Sequence, residues 1–264
     1  CDYKSCPVNS NDDTVNGVCK CDSGWKNHPV WSHGAWSNTC VRKSCSAFPS
    51  ISFSTDDAPG SPLYQNVVTV TCASGYSTNG VSTGPKTQTS TCQAAQTWSS
   101  VTSCKAVSCG STPPATQAST STASGVYTNS ASYSCASGYT TNGVTTGPTS
   151  FSIQCQSSGS WQAPTSCQPK QCGATPAFQS STVQSKSHST LSYAQRTVTY
   201  TCKAGHTTDG SKTGDTTWTR TVDSDCEWDS TETVKCSPKN CGSAPTFASS
   251  VASRSASIGV FGSP

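Results

Sequence analysis

Ten of the 18 cysteines in this 264-residue chain fall into five pairs, each five positions apart: Cys1/Cys6, Cys40/Cys45, Cys104/Cys109, Cys167/Cys172 and Cys236/Cys241. A spacing repeated this often describes a string of units joined by short links of one length. Each four-residue link carries a lysine: Lys4, Lys43, Lys105, Lys170 and Lys239. Cysteine at this density belongs to an oxidising compartment, where disulfides form and persist. The rest of the composition agrees. Only 32% of residues are hydrophobic and 11% charged, too little apolar area for one large core to offset the chain entropy. Seven Trp, eight Tyr and six Phe are equally unlike a solvated coil. Small domains held by disulfides remain.

Between the links, three segments share one plan. Cys45, Cys72, Cys92 and Cys104 are spaced 27, 20 and 12; Cys109, Cys135, Cys155 and Cys167 are spaced 26, 20 and 12. The third set, Cys172, Cys202, Cys226 and Cys236, runs 30, 24 and 10, which reads as two loop insertions. The second cysteine opens a related phrase each time: CASGYSTNG, CASGYTTNG and CKAGHTTDG. One tryptophan lies between the last two cysteines, at Trp98, Trp161 and Trp228.

Alternation of period two marks a strand before each second cysteine. Val68, Val70 and Cys72 fall on one face, as do Ala131, Tyr133 and Cys135, and Val198, Tyr200 and Cys202; Ser and Thr fill the other face. Asn79–Gly80, Asn142–Gly143 and Asp209–Gly210 suggest type I′ hairpin turns. No helical period with caps is present.

These features resemble the sushi module, also called the complement control protein module or short consensus repeat: four cysteines, an aromatic strand running into C-x-x-G-aromatic, and a Trp before the final cysteine. The closing phrase Trp161-Gln-Ala-Pro-Thr-Ser-Cys167 fits the family well. The resemblance implies sushi modules at 45–104, 109–167 and 172–236, and the opening of a fourth at 241–264. It also implies pairing of first with third and second with fourth cysteine: Cys45–Cys92, Cys72–Cys104, Cys109–Cys155, Cys135–Cys167, Cys172–Cys226 and Cys202–Cys236. Sequence alone allows three connectivities per module. The third copy departs from the pattern, with His206 in the aromatic position, and Ser/Thr-rich loops replace the charged loops of complement regulators.

Residues 6–40 form a shorter unit. Cys19-Lys-Cys21-Asp-Ser-Gly24-Trp25 resembles the ending of an epidermal-growth-factor-like (EGF-like) domain, which implies Cys6–Cys19 and Cys21–Cys40. A degenerate sushi module is the rival, because Cys21-Asp-Ser-Gly-Trp also matches the sushi phrase. Residues 1–5 read as the tail of a preceding module and its link. Cys1 and Cys241 are left over, with partners expected outside the segment. The fold expected is all-β: small disulfide-rich modules in a rod-like tandem array, EGF-like at the N-terminus.

No catalytic, cofactor or metal site emerges. His28, His33, His188 and His206 have no ligand spacing, and the glycines sit at turns. Asp12–Asp13 and Asp56–Asp57 read as solvated turns. Asp223, Asp225, Glu227 and Asp229 are denser, and are the one candidate for calcium or a basic partner. A net charge of +3 without a dense basic run gives nucleic acid no electrostatic footprint. No apolar run nears the ~20 residues of a membrane span.

Hydroxyl density is the most unusual property. Thr112, Thr116, Ser119, Thr120, Ser121 and Thr122 lie near Pro and Ala and suit O-glycosylation, as does the stretch Ser249 to Ser257. There is no N-x-[ST] sequon. The expectation is therefore a secreted, O-glycosylated sushi array, cut from a longer protein, that builds an extracellular fibre, surface coat or appendage. Its partners would be copies of itself or neighbouring modules, with Trp31 and Trp36 as surface contacts. The alternative is a cell-surface adhesin or complement-type receptor for a protein or glycan. Should the chain end near Pro264, strand addition by another copy could complete the fourth module.

Overall fold

The computed structural model describes residues 6–13, 18–37, 39–231, 233, 235–243 and 258–260. Cys1, the link at 2–5, the Ser249–Ser257 stretch and most of the fourth module lie outside the described residues, as do the side chains of Asp12 and Asp13. The described residues contain strands, turns and bends and no helix. The chain divides into two compact units. One comprises Cys1–Thr112, Thr122–Ala131 and Ile153–Gln162; the other comprises Pro113–Ser121, Ser132–Ser152 and Ala163–Pro264. The second repeat supplies residues to both.

Each repeat is built on a three-stranded antiparallel sheet with the strand before the second cysteine at its centre. Val67–Cys72 lies between Ser54–Asp56 and Thr87–Thr91, and Thr197–Cys202 between Val183–Lys186 and Thr217–Thr221. Ser130–Cys135 is the central strand of the second repeat. The alternation does what period two requires: Val68, Val70 and Cys72 are buried while their neighbours face out. Tyr133 and Tyr200 lie buried in their repeats, and their hydroxyls donate to the Pro113 and Pro176 carbonyls at 2.6 and 2.9 Å. Burial raises the Tyr200 phenol above its usual range. The three tryptophans sit half-buried at the rim of these cores. Trp228, for example, packs against a cluster of Val183, Val198, Tyr200, Cys202 and Cys236.

Two expectations change. The Asn-Gly pairs do not make two-residue hairpins: only the glycines have positive φ (Gly80 79°, Gly143 75°, Gly210 74°). Asn79, Asn142 and Asp209 instead fold their side chains over the loop and accept N–H bonds from Val81, Val144 and Ser211 at 3.0, 3.0 and 2.9 Å. These are Asx turns, which satisfy the backbone locally where a hairpin would use the ladder. Buried Ser77, Thr140 and Thr207 close the loops by donating to the carbonyls of those same residues. A Cβ at Gly84, Gly147 or Gly214 would collide with the Asx oxygen.

The second change concerns the third repeat. Its 24-residue spacing is a displaced cysteine, not an inserted loop. Val222, 20 residues after Cys202, occupies the position of Cys92 and Cys155. All three N–H groups bond a carbonyl at 2.9 Å (Asn66, Asn129 and Arg196), and all three residues bridge to the repeat's tryptophan. Cys226 stands four residues later at the turn, where Gln96 and Gly159 stand in the other repeats, and all three have positive φ.

Candidate functional site

The feature that recurs along the chain is the joint between successive repeats. The phrase Cys-x-x-Gly turns the chain at a positive-φ glycine (Gly24 88°, Gly75 81°, Gly138 82°), a conformation glycine adopts without steric cost. A tyrosine of the following repeat lies against each: Tyr64 on Gly24, Tyr127 on Gly75 and Tyr193 on Gly138, with any Cβ on those glycines under 3.0 Å from the ring. Tyr127 also meets Tyr76 edge-on at 5.7 Å, and Tyr193 meets Tyr139 at 5.8 Å, a favoured aromatic geometry.

The third link residue ties both sides. Lys43 donates its N–H to the Gly24 carbonyl at 2.8 Å and accepts from the Tyr64 N–H at 2.7 Å. Val107 does the same between Gly75 and Tyr127 (2.9 and 2.8 Å), and Lys170 between Gly138 and Tyr193 (3.0 and 2.8 Å). Lys239 bonds back to Gly205 at 2.8 Å. The next link residue adds a second bond, from Ser108, Gln171 or Asn240 to the Gly80, Gly143 or Gly210 carbonyl. Each of the four described links is therefore paired backbone, not free tether.

Side chains then distinguish the joints. Val107 is 1% exposed and packs toward Gly159 of the following repeat. Lys170, at the same position, is also buried, and its ammonium bonds the Ser224 carbonyl at 2.9 Å and the Asp225 carboxylate at 3.0 Å. A buried ammonium needs such partners, because desolvation is costly without them.

The N-terminal unit uses the same joint. Trp25–Lys26 pairs with Val41–Arg42 as Tyr76–Ser77 pairs with Lys105–Ala106. Its ladder pairs Ser10 with Cys21, as the repeats pair Ser54 with Cys72 and Ala118 with Cys135. In the sequence this likeness shows only in Cys21-Asp-Ser-Gly-Trp, the phrase behind the rival reading of a degenerate sushi module.

All eight cysteine pairs of the described region are joined: Cys6–Cys19, Cys21–Cys40, Cys45–Cys92, Cys72–Cys104, Cys109–Cys155, Cys135–Cys167, Cys172–Cys226 and Cys202–Cys236. Cys241 is an exposed thiol. The acidic cluster is dispersed over separate partners. Asp225 pairs with Lys170, and Asp229 with Arg220 at 2.8 Å. Asp223 caps a turn by accepting the Asp225 and Glu227 N–H groups at 2.9 Å, which hold its carboxyl below the usual range. The described residues contain no group of three metal-binding side chains. Thr116, Ser119 and Ser121 are exposed, whereas Thr112, Thr120 and Thr122 are half-buried and the Thr112 hydroxyl donates to the Thr122 carbonyl. Trp31 and Trp36 face each other across a short hairpin at 5.3 Å, with Trp31 38% exposed.

Comparison with known proteins places these joints in a family context. Residues 43–104 and 109–172 match the model of the sushi repeat (SCR repeat). The protein named sushi, von Willebrand factor type A, EGF and pentraxin domain-containing protein 1 from Mus musculus is 32% identical over 152 residues, 57% of this chain. Its Rattus norvegicus counterpart is 28% identical over 221 residues, 81% of the chain. The chain spans only 4% of the mouse protein and 6% of the rat protein.

Proposed function

Residues 43–104 and 109–172 are sushi repeats, and from that premise we propose that the chain is the spacing part of an extracellular protein, holding successive modules in fixed orientation. One observation carries this reading: the pair of link hydrogen bonds and the tyrosine-on-glycine contact recur at Lys43, Val107 and Lys170. A link bonded on both sides resists bending, so stiffness accumulates from neighbour to neighbour. In this proposal 6–40 is an EGF-like module with a sushi-type joint, and exposed hydroxyls carry O-glycans. The array serves an extracellular fibre, surface coat or appendage. Sushi repeats occur in extracellular and cell-surface proteins. The described residues contain no helix long and apolar enough to cross a membrane.

A second reading, adhesion or reception of a partner, draws on the multidomain relatives named above. Small-angle scattering and negative-stain electron microscopy of the secreted chain separate the possibilities. Filaments with a regular repeat support the fibre. Separate stiff particles retain the spacing role and favour the adhesive reading. A scattering curve requiring freely reorienting modules overturns both fixed orientation and spacing.

A further inference from the structure

Besides Val222, the third repeat differs from the other two at a further place in its core. Arg220 stands where the first two repeats have Ser90 and Ile153, at the fourth position of the same strand, and is 2% exposed. Its guanidinium donates to Asp229 and lies 5.8 Å from the centre of the Trp228 ring. In the first two repeats the tryptophan is anchored by its indole N–H, from Trp98 to the Ser46 carbonyl at 3.0 Å and from Trp161 to the Gly110 carbonyl at 3.3 Å. The equivalent bond, from Trp228 to Gly173, is not formed. Between Trp228 and Cys236 the third repeat also has two more residues than the others. There a pocket of about 340 Å³ opens, lined by Pro176, Arg220, Glu227, Trp228, Ser230 and Thr231.

We propose that this pocket binds one neutral pyranose residue of a glycan. Its volume lies at the small end of the ~300–1,000 Å³ typical of ligand sites, which fits a single ring. The indole and the Pro176 ring offer an apolar wall for the C–H face of a sugar. Glu227 accepts from adjacent hydroxyls, and Thr231 and the indole N–H supply shorter-range polar contacts. Charge selects against other ligands. The Arg220 charge is already opposed by Asp229, so a carboxylate-bearing sugar would meet Glu227 without a net attracting cation. A purely apolar ligand would desolvate Glu227 with nothing in return. This site goes beyond the spacing role and does not depend on it.

The test is an NMR titration of the whole chain, following the Trp228 indole N–H signal, with the methyl pyranosides of glucose, mannose and galactose as neutral probes and glucuronic and N-acetylneuraminic acids as acidic ones. A saturable shift with at least one neutral probe is expected, weakened at least 10-fold by Glu227→Ala. Trp228→Phe keeps an aromatic ring against the core and removes the N–H, and is expected to weaken binding several-fold while the chain still folds cooperatively in a thermal melt. The proposal is overturned by no saturable shift with any neutral probe, by preference for an acidic probe, or by binding that Glu227→Ala leaves unchanged.

Discussion

Tyr127 lies so close over Gly75 that a methyl group on the glycine would fall under 3.0 Å from three atoms of the ring. Glycine is required there twice over, by the approach of the ring and by its φ of 81°. Gly75→Ala should therefore cost about 1–3 kcal/mol of local stability through backbone strain alone, with the ring displaced as well. Hydrogen exchange should show faster exchange of the Val107 and Tyr127 amides. Gly110 is the control: its φ is 66°, but nothing lies within 4 Å of an added Cβ, so Gly110→Ala should leave those two amides protected.

Asp229 makes the third repeat sensitive to acid. Burial pushes its carboxyl up, but bonds from the Arg220 guanidinium and from the Thr221 N–H and hydroxyl outweigh this and hold it below the usual range. A depressed folded value means that the stabilisation is complete above the unfolded carboxyl's value of about 3.9. It is lost as pH falls through the lower folded value. Thermal melts should show the Asp229→Asn variant less stable than the parent at pH 7, with the gap closing below about pH 4.

Lys170 and Asp225 make the joint between the second and third repeats charge-dependent. Asp225→Ala removes the only carboxylate paired with a buried ammonium among the described residues. The lysine keeps the Ser224 carbonyl but loses its counter-charge, and because the Asp225 carboxylate is largely exposed and screened by water, a moderate loss of stability is expected. Lys170→Met, which removes the charge and keeps the stem, should be milder. Denaturant melts of the two variants and the double variant give the coupling directly; equal losses from both single variants would contradict this account.

The displaced cysteine can be moved back. Val222 holds the backbone position of Cys92 and Cys155, with the same 2.9 Å hydrogen bond. The double variant Val222→Cys/Cys226→Gly should fold with its new thiol joined to Cys172, and peptide mapping of the non-reduced protein should find that bridge. Glycine at 226 also relieves a non-glycine residue of φ 66°. A free thiol at either position would show that the alignment of Val222 with Cys92 is wrong.

Glycan placement should follow exposure. Site mapping of the secreted protein is expected to find sugar on Thr116, Ser119 or Ser121 before Thr112, because the Thr112 hydroxyl is engaged with the Thr122 carbonyl at 2.7 Å.

Much of this architecture was legible in one dimension. Cysteine spacing exposes the repeats because a disulfide framework demands fixed chain lengths between its members. Alternation around Val68, Tyr133 and Val198 exposes the central strands because a pleated strand has period two. The turn glycines were legible as positions, though not as Asx turns, since Asn-Gly serves both geometries and only the pairing of the flanking strands separates them.

What the sequence determined by itself was therefore the local and the periodic: the cysteine spacing, the central strands, and link lengths too short for a free tether. Tertiary structure alone decided which residues meet across those lengths. Val107 and Lys170 stand at the same link position with opposite chemistry, and each is buried only because the next repeat folds back over it. Arg220 reads as a surface charge until register turns it inward, where Asp229 and Trp228 receive it. Val222 looks like any strand valine until its hydrogen bond aligns it with Cys92. Contacts between residues far apart in the chain depend on how separate elements pack, and no spacing rule along the chain encodes that packing.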